Sequence, residues 1–269
     1  MAKNQTSGGH IAVEGTAGVL IARIDGGTNA LFDAAITKQL KELVDRVDRD
    51  PNVHAVVFTG THPDRFLSHS DVRWLQQGGT GFPRINTRIA GLVTRSARLI
   101  NRLPGVRTLA AKTRFKTVLE LDNFHSTFLK MNASGTIFIA ALNGSAFAVG
   151  AELALACDLR IMADGDFVIG LSEVLLALTP GGGGSQRLPR LIGRQQALVA
   201  VLEGKPFTPA EALALGAIDE VVPKDKVLAR AVERAEYLSL RSKKSLGAIK
   251  RSIYFGSSQR SAARTGPAV

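Results

Sequence analysis

Two glutamates lie in apolar segments of the chain, where a carboxylate is costly to bury. If the segment AVGAELALACDL is a helix, the positions three and four residues from Glu152 are all apolar: Ala148, Val149, Leu155 and Ala156. Glu173 stands in GLSEVLLAL among similar neighbours: Leu171, Val174, Leu175 and Leu176. Both carboxyl groups are therefore predicted to be buried.

Burial would give these two carboxyl groups the properties of an acid and a base. A buried carboxyl group has a raised pKa, because burial penalises its ionised form. A group that holds or releases a proton near neutral pH can act as a general acid or base. The alternative interpretation is structural, with each glutamate bonded to an arginine or to a backbone amide.

The residues just before Glu152 add a possible site for negative charge. The segment NGSAFAVG leaves a predicted strand and enters a helix near Gly150. The first N–H groups of a helix have no intrahelical acceptor and carry partial positive charge. Such groups can stabilise an oxyanion as it forms.

The elements that must position these residues alternate between strand and helix patterns. Strands are predicted for residues 18–25, 54–60 and 136–144, and LFDAAITKQLKELVDRV has helical periodicity. This alternation indicates an α/β fold with parallel strands. From about Gly193 onward the pattern is helical, with Thr208 as an N-cap, Glu211 three residues later and a stop at Gly216.

Composition limits the class of protein. The chain has 269 residues, a net charge of +11 and a single cysteine, Cys157, which is predicted to be a core residue. One cysteine excludes disulfide stapling and favours a reducing compartment. The N-terminal residues show no secretory signal, and no apolar run is long enough to span a bilayer, so we expect a cytoplasmic protein. The five histidines lack metal-ligand spacing, so no metal site is expected.

A basic segment follows the first half of the α/β pattern. From residue 84 to 116 there are nine basic and no acidic side chains. Over residues 84–103 the arginines fall on one side of a helix and apolar residues on an adjoining side, which describes a basic amphipathic helix. The interpretations are a solvated helix face or a contact with an acidic partner, a membrane surface or the phosphates of coenzyme A. Nucleic acid is not expected, since no binding motif is present and aromatic residues are sparse there.

Five segments, in order, resemble the enoyl-CoA hydratase/isomerase (crotonase) family. They are NAL at residues 29–31, VVFTG with RFLSHSDV, IAALNGSAFAVGAELALACDLRI, GLSEVLLALTPGGGGSQRLPRLIGR, and GKPFTPAEALALGAIDEVVP. The resemblance implies a crotonase-like ββα spiral core over residues 1–200, with a basic helical insertion at about 82–133. It also implies a helical C-terminal region over residues 201–269, a homotrimer or hexamer, a coenzyme A thioester as substrate, and no separate cofactor.

The resemblance also implies roles for individual residues. Glu152 and Glu173 match the two carboxylates of true hydratases, which deliver a water molecule across the C2=C3 bond; many members with other activities keep one of them or neither. The backbone N–H groups of Ser70 and Val149 would hold the thioester oxygen. The substrate-binding positions would be Ala30, Ser68, Asp71 and Gly150. The four glycines that follow are not a Walker loop; by resemblance they let the backbone pack closely behind the site and begin a helix.

Three departures from the family pattern leave alternatives open. His69 and Val149 stand where the family has glycine, so the added Cβ atoms are expected to alter the direction of the amides. The chain is also expected to end short of the family's C-terminal helices. The favoured interpretation is an enoyl-CoA hydratase. The alternatives are a Δ3-Δ2 enoyl-CoA isomerase, and a degenerate member that binds acyl-CoA without turnover.

Overall fold

The computed structural model describes residues 8–16, 18–70, 96 and 116–263, and within these ranges nine strands form two sheets. The strands are β1 (His10–Thr16), β2 (Val19–Asp25), β3 (Ala55–Gly60), β4 (Arg65–Leu67), β5 (Ile137–Leu142), β6 (Ser145–Phe147), β7 (Leu159–Ala163), β8 (Ile169–Gly170) and β9 (Glu220–Val222). The larger sheet has the order β1-β2-β3-β5-β7-β9, and the smaller sheet the order β4-β6-β8. Only the β1–β2 pair is antiparallel among these strands.

Eight helices pack around these sheets in the described part of the chain. They are α1 (Ala34–Arg49), α2 (Lys116–Ala133), α3 (Val149–Ala156), α4 (Gly184–Ile192), α5 (Arg194–Glu203), α6 (Pro209–Leu215), α7 (Val227–Ser239) and α8 (Lys243–Ala263). Short 3-10 turns lie at Gly27–Asn29, Glu173–Leu176 and Lys224–Lys226. None of the helices described is both long and apolar enough to cross a membrane.

The larger sheet separates two apolar clusters because successive side chains of a strand point to opposite faces. On β3, Val56 and Phe58 belong to the main core, which also contains residues of α1, α2 and α3. Ala55 and Val57 belong to a second core, which packs against α7. The central strands β3 and β5 are buried on both faces, as expected for parallel strands covered by helices.

The structure confirms the predicted α/β class and most of the predicted elements. The three predicted strands correspond to β2, β3 and β5 with boundaries shifted by one or two residues. At the start of α6, the Thr208 hydroxyl accepts from the Glu211 N–H and the Glu211 carboxylate accepts from the Thr208 N–H, and Gly216 ends the helix. Cys157 is fully buried, as predicted.

The predicted basic helix over residues 84–103 lies outside the described residues, apart from Ser96, and stays a prediction. The C-terminal part of the predicted insertion is described, as α2. This helix contributes Phe124, Phe128 and Met131 to the main core. In this range the proposed insertion is therefore an integral part of the fold.

Two lysines anchor the last helix, α8, to the core. The ammonium group of Lys243 donates to the carbonyl oxygens of Val47, Asp50 and Val53, at 2.6, 2.6 and 3.0 Å. These contacts satisfy carbonyl groups at the end of α1 and in the turn after it. About two turns further on, the buried Lys250 donates to the Asp158 carboxylate at 2.7 Å. The helix is thereby fixed at two points along its length.

The contact between α3 and β4 requires a glycine, and this gives a first prediction. A methyl group at Gly150 would overlap the carbonyl oxygen of Leu67 and lie 2.6 Å from its carbonyl carbon. Because neither backbone can move without disturbing the core, Gly150→Ala is expected to lower the free energy of unfolding by about 1–3 kcal/mol. Urea denaturation would measure the change.

The matched control for this substitution is Gly181→Ala, since a methyl group at Gly181 would have no described atom within 4 Å. Its free energy of unfolding should stay within about 0.5 kcal/mol of the wild-type value. Equal stability of the Gly150 and Gly181 variants would contradict the close contact between α3 and β4.

Candidate active site

A cavity of about 270 Å3 lies where the smaller sheet meets α2 and α3. Both predicted catalytic glutamates and both predicted amide donors line it. Its walls are formed by Phe32, His69, Ser70, Phe124, Ala148, Val149, Glu152, Glu173, Leu176, Leu178, Thr179 and Gly181. Residues separated by more than 100 positions in the sequence therefore meet in one mostly apolar space.

Glu152 lies in the first turn of α3. Its carboxylate is held by the four consecutive glycines at residues 181–184, the glycine tract. Its carboxylate oxygens accept from the Gly182 N–H at 2.8 and 2.9 Å, and one of them also accepts from the Gly184 N–H at 2.8 Å. A Cβ at Gly182 would lie 2.9 Å from a Glu152 oxygen, and one at Gly184 would lie 3.0 Å from its Cγ. The tract is therefore glycine where the backbone contacts this carboxyl group.

Burial is the main cause of the raised pKa of Glu152. The side chain is 2% exposed, and this burial raises the pKa of Glu152 to about 7. The hydrogen bonds from the Gly184 and Gly182 N–H groups and the positive charge of Arg187 lower the pKa of Glu152. The negative charge of Glu173 raises it further. The outcome is a carboxyl group that exchanges its proton near neutral pH.

Glu173 is also buried, but it lacks the amide donors that Glu152 has. It begins the 3-10 turn Glu173–Leu176, and its side chain is 8% exposed. Its Oε2 atom is buried and has no hydrogen-bond partner in the described part of the protein. Burial raises the pKa of Glu173, against a hydrogen bond from its own backbone. A carboxyl group in this setting favours its neutral, protonated form.

The two carboxyl groups therefore differ in what they can do. The N–H groups of Gly182 and Gly184 make three contacts with Glu152 and favour its ionised form. The ionised form can accept a proton from a neighbouring water molecule. Glu173 lacks such donors around Oε2, and its protonated form can donate. Two buried carboxyl groups with different hydrogen-bond partners on the same cavity suit a reaction that adds and removes protons on a bound substrate.

The backbone at Ser70 turns its N–H away from the strand segment that contains Phe32. The Phe32 N–H donates to the His69 carbonyl at 3.2 Å, and the Ser68 N–H donates to the Ala30 carbonyl at 2.7 Å. The His69 C=O and the Ser70 N–H belong to the same trans peptide unit and point in opposite directions, so the Ser70 N–H points away from Phe32. Ser70 and Val149 both line the cavity.

Val149 is the first residue of α3, so its N–H has no intrahelical acceptor. The residue before it, Ala148, has a φ of 47° and a ψ of −115°. Among the described residues, the non-glycine residues with positive φ are Ala30, Ala148 and Ala177. All three lie on or beside the cavity wall, and backbone strain of this kind clusters at functional sites.

The remaining predicted positions are distributed as follows. His69 and Val149, which replace glycines of the family pattern, have no positive φ, so they adopt their conformations without strain of that kind. The His69 Nδ1 atom lies 2.7 Å from the Ser70 carbonyl oxygen.

The predicted substrate-binding residues Ala30, Ser68 and Gly150 are buried and are not among the residues that line the cavity, so their substrate-binding roles stay predictions. Asp71 lies outside the described residues.

Sequence reasoning missed two features of this site. It anticipated close backbone packing at the glycine tract, but not that Gly182 and Gly184 donate to Glu152. It also did not place Phe124 of α2 on the cavity wall. The available signal was the run of four glycines in a chain that must hold a buried carboxylate, since such a run exposes several N–H groups.

Comparison with known proteins identifies the family. The enoyl-CoA hydratase/isomerase family matches residues 108–265, which is more than half of the 269 residues of the chain. The chain belongs to the enoyl-CoA hydratase/isomerase family. The resemblance inferred from its motifs is confirmed.

Sequence relatives in this family include much longer proteins. The alpha subunit of the fatty acid oxidation complex of Shewanella putrefaciens (strain CN-32 / ATCC BAA-453) is 30% identical over 236 residues, which cover 87% of this chain and 28% of that protein. The corresponding subunit of Shewanella sp. (strain ANA-3) is 29% identical over the same length. The chain spans less than a third of the length of these curated relatives.

Solved structures confirm the crotonase-like fold. The enoyl-CoA hydratase from Bacillus anthracis is 26% identical, with a TM-score of 0.69 over 91% of this chain and 83% of that chain. The carnitinyl-CoA hydratase from Mycobacterium avium is 28% identical, with a TM-score of 0.67 over 91% of this chain and 80% of that chain.

The raised pKa of Glu152 predicts a specific dependence of stability on pH. Its pKa is about 7 in the folded protein against an ordinary value of 4.5. Between these values the folded state keeps a proton that the unfolded state has released. The free energy of unfolding therefore falls as the pH rises through this range, by roughly 3 kcal/mol from this group.

Urea denaturation of wild type and Glu152→Gln at pH 5 and pH 8 would measure this effect. The wild type is expected to lose more stability between the two pH values than the variant, which carries no titrating group there. Glu203→Gln, at an exposed position of α5, should behave like wild type. If the Glu152 variant and the wild type lose the same amount, Glu152 is ionised throughout and its pKa is not raised.

Proposed function

We propose that this protein is an enoyl-CoA hydratase, which adds water across the C2=C3 bond of a 2-enoyl-CoA thioester. Membership of the enoyl-CoA hydratase/isomerase family supports an enzyme that acts on a coenzyme A thioester. The observation that carries the narrower proposal is the pairing of two buried carboxyl groups with opposite hydrogen-bonding environments on one cavity. Hydration requires both a base for water and an acid for carbon.

The proposed reaction begins with the thioester oxygen between the N–H groups of Ser70 and Val149. The Glu152 carboxylate takes a proton from water, and the water oxygen forms a bond to C3. The electrons of the double bond move toward the thioester, and the negative charge that forms on its oxygen is stabilised by the two N–H groups.

The second half of the reaction completes the product. The enolate electrons form a C–H bond at C2 with the proton of Glu173, so that one water molecule has been added in total. Exchange with solvent returns Glu152 to its anionic form and Glu173 to its protonated form. The proposed steps need no cofactor beyond the coenzyme A that the substrate carries.

The walls of the cavity suit an acyl chain. Phe32 and Phe124 contact each other with ring centroids 5.3 Å apart, and Leu176 and Leu178 lie on the wall near Glu173. An apolar lining with few polar groups is typical of sites that bind apolar ligands. The same lining separates the carboxyl groups from bulk solvent and leaves room for the reacting water molecule, and this strengthens the electrostatic interactions on which the reaction depends.

Replacing either carboxyl group should remove most of the activity. For Glu152→Gln and Glu173→Gln, kcat/KM with crotonyl-CoA or a longer 2-enoyl-CoA is expected to fall by about 100-fold or more, because an amide can neither accept nor donate the required proton. Loss of the absorbance of the conjugated enoyl thioester would measure the rate. Glu203→Gln should keep the wild-type rate.

Other results of this assay would identify other activities. If the wild type leaves both 2-enoyl thioesters unchanged, the protein is not a hydratase for them. An increase in the same absorbance from a 3-enoyl-CoA would then indicate an isomerase, in which one glutamate moves a proton between C2 and C4. Binding of the thioester without either change would indicate a member that has lost turnover.

We further propose that the chain forms the homotrimer or hexamer expected of its family. Several apolar side chains are exposed on the turn that follows Glu173 and on α5, including Leu175 at 69% and Leu202 at 64%. Exposed apolar surface of this kind is typical of protein interfaces. Light scattering on the purified protein should give a mass three or six times that of one chain, whereas a monomer would contradict the proposal.

A further inference from the structure

A buried arginine lies directly behind the glycine tract that holds Glu152. Arg187, on α4, is 6% exposed. No carboxylate forms a salt bridge with it in the part of the chain that the structure describes. Burial lowers the pKa of Arg187, and the negative charge of Glu152 raises it. Burying a guanidinium without a directly bonded carboxylate is costly, so its position calls for an explanation.

The hydrogen bonds of Arg187 go to the glycine tract and to Asn132. Its Nη1 donates to the Gly182 carbonyl oxygen at 2.6 Å. Its Nε and Nη2 both donate to the Oδ1 of Asn132, at 3.1 and 2.9 Å. The Asn132 amide in turn donates to the carbonyl oxygen of Ala156, the last residue of α3, at 2.9 Å.

These contacts connect both ends of the helix that carries Glu152. The first turn of α3 is joined to the glycine tract through the Glu152 carboxylate, and its last residue is joined to the same tract through Asn132 and Arg187. Gly182 is therefore held on two sides, at its N–H by Glu152 and at its carbonyl oxygen by Arg187. Glycine backbone has wide conformational freedom, so an external contact is needed to keep these groups in one direction.

We propose that Arg187, together with Asn132, is a positioning residue that keeps the Gly182 and Gly184 N–H groups directed at the Glu152 carboxylate. This inference rests on the proposed function for the role of Glu152 as the base. A second effect follows from charge, since the guanidinium favours the anionic form of Glu152. The other titratable groups that share the site with Glu152 are Glu173 and the imidazole of His69.

The test compares Arg187→Met with Arg187→Lys in the 269-residue chain. Arg187→Met removes the charge and the fork of donors, so kcat is expected to fall by about 10 to 100-fold with KM changed by less than about threefold. The low-pH limb of kcat/KM should move to higher pH by about one unit, because Glu152 without a nearby cation loses its proton less readily.

Arg187→Lys separates charge from geometry. A lysine keeps the positive charge but cannot donate to Gly182 and Asn132 together as the guanidinium does. The low-pH limb should therefore stay near its wild-type position while kcat stays reduced. Arg190→Met is the matched control, because Arg190 lies on the same helix but is exposed and donates to the Tyr254 carbonyl oxygen. It should match wild type in both properties.

A further variant addresses the case in which Arg187→Met does not fold. Asn132→Asp keeps a partner for the guanidinium and places a negative charge against it, which offsets the charge that Glu152 experiences. The low-pH limb should move upward as in Arg187→Met. If the low-pH limb of the kcat/KM profile keeps its wild-type position in a folded Asn132→Asp protein, the electrostatic part of the inference is contradicted.

A readout that does not depend on turnover separates this inference from the proposed function. The carboxyl 13C resonance of Glu152, assigned by its absence in Glu152→Gln, can be titrated in each protein. A higher midpoint in Arg187→Met supports the inference even if the wild type hydrates no substrate, in which case only the proposed function fails. The inference is overturned if a folded Arg187→Met protein keeps the wild-type midpoint. It is also overturned if the variant's kcat loss comes with an equal loss in Arg190→Met.

Discussion

The burial of the Glu152 carboxyl group is the constraint on which the site depends. An ionised carboxylate in an apolar cavity is unstable unless donors surround it, and a fully neutralised one could not act as a base. The protein resolves this with amide N–H groups rather than with a directly paired cation. Amides favour the anion enough to keep its pKa near 7 without lowering it to the ordinary range. A salt bridge at the same place would hold the proton off at every physiological pH.

This solution determines the backbone around the site. N–H groups can contact a carboxylate closely only where no side chains intervene, so the chain is glycine at residues 182 and 184. The same requirement for close approach recurs at Gly150, where α3 contacts β4. Arg187 and Asn132 then hold the flexible tract from behind. The buried Glu152 requires the N–H donors, the donors require glycine at residues 182 and 184, and the flexible glycines require the contacts of Arg187 and Asn132.

The sequence allowed the coarse features to be predicted because they depend on local patterns. The alternation of β-branched strands with helices predicted the α/β class, and apolar neighbours predicted the burial of Glu152 and Glu173. The cap at Thr208 was equally local. The contacts of Glu152 with Gly182 and Gly184 and of Arg187 with Asn132 could not be predicted in this way, because they join residues 30 to 55 positions apart. Their formation depends on how helices and loops pack, and local periodicity carries no information about that packing. Even the structural alternative for Glu152, a bond to a backbone amide, was compatible with the sequence and is present together with its raised pKa.

The asymmetry between the two glutamates gives the site a direction. Both side chains are buried, so burial alone would raise both pKa values and leave their roles interchangeable. Three N–H contacts on Glu152 and the unpartnered Oε2 of Glu173, within the described residues, remove this equivalence. The two titrations are also coupled, since the negative charge of Glu173 raises the pKa of Glu152. In the proposed reaction it is therefore the hydrogen-bond pattern, rather than burial, that assigns the role of base to Glu152 and the role of acid to Glu173.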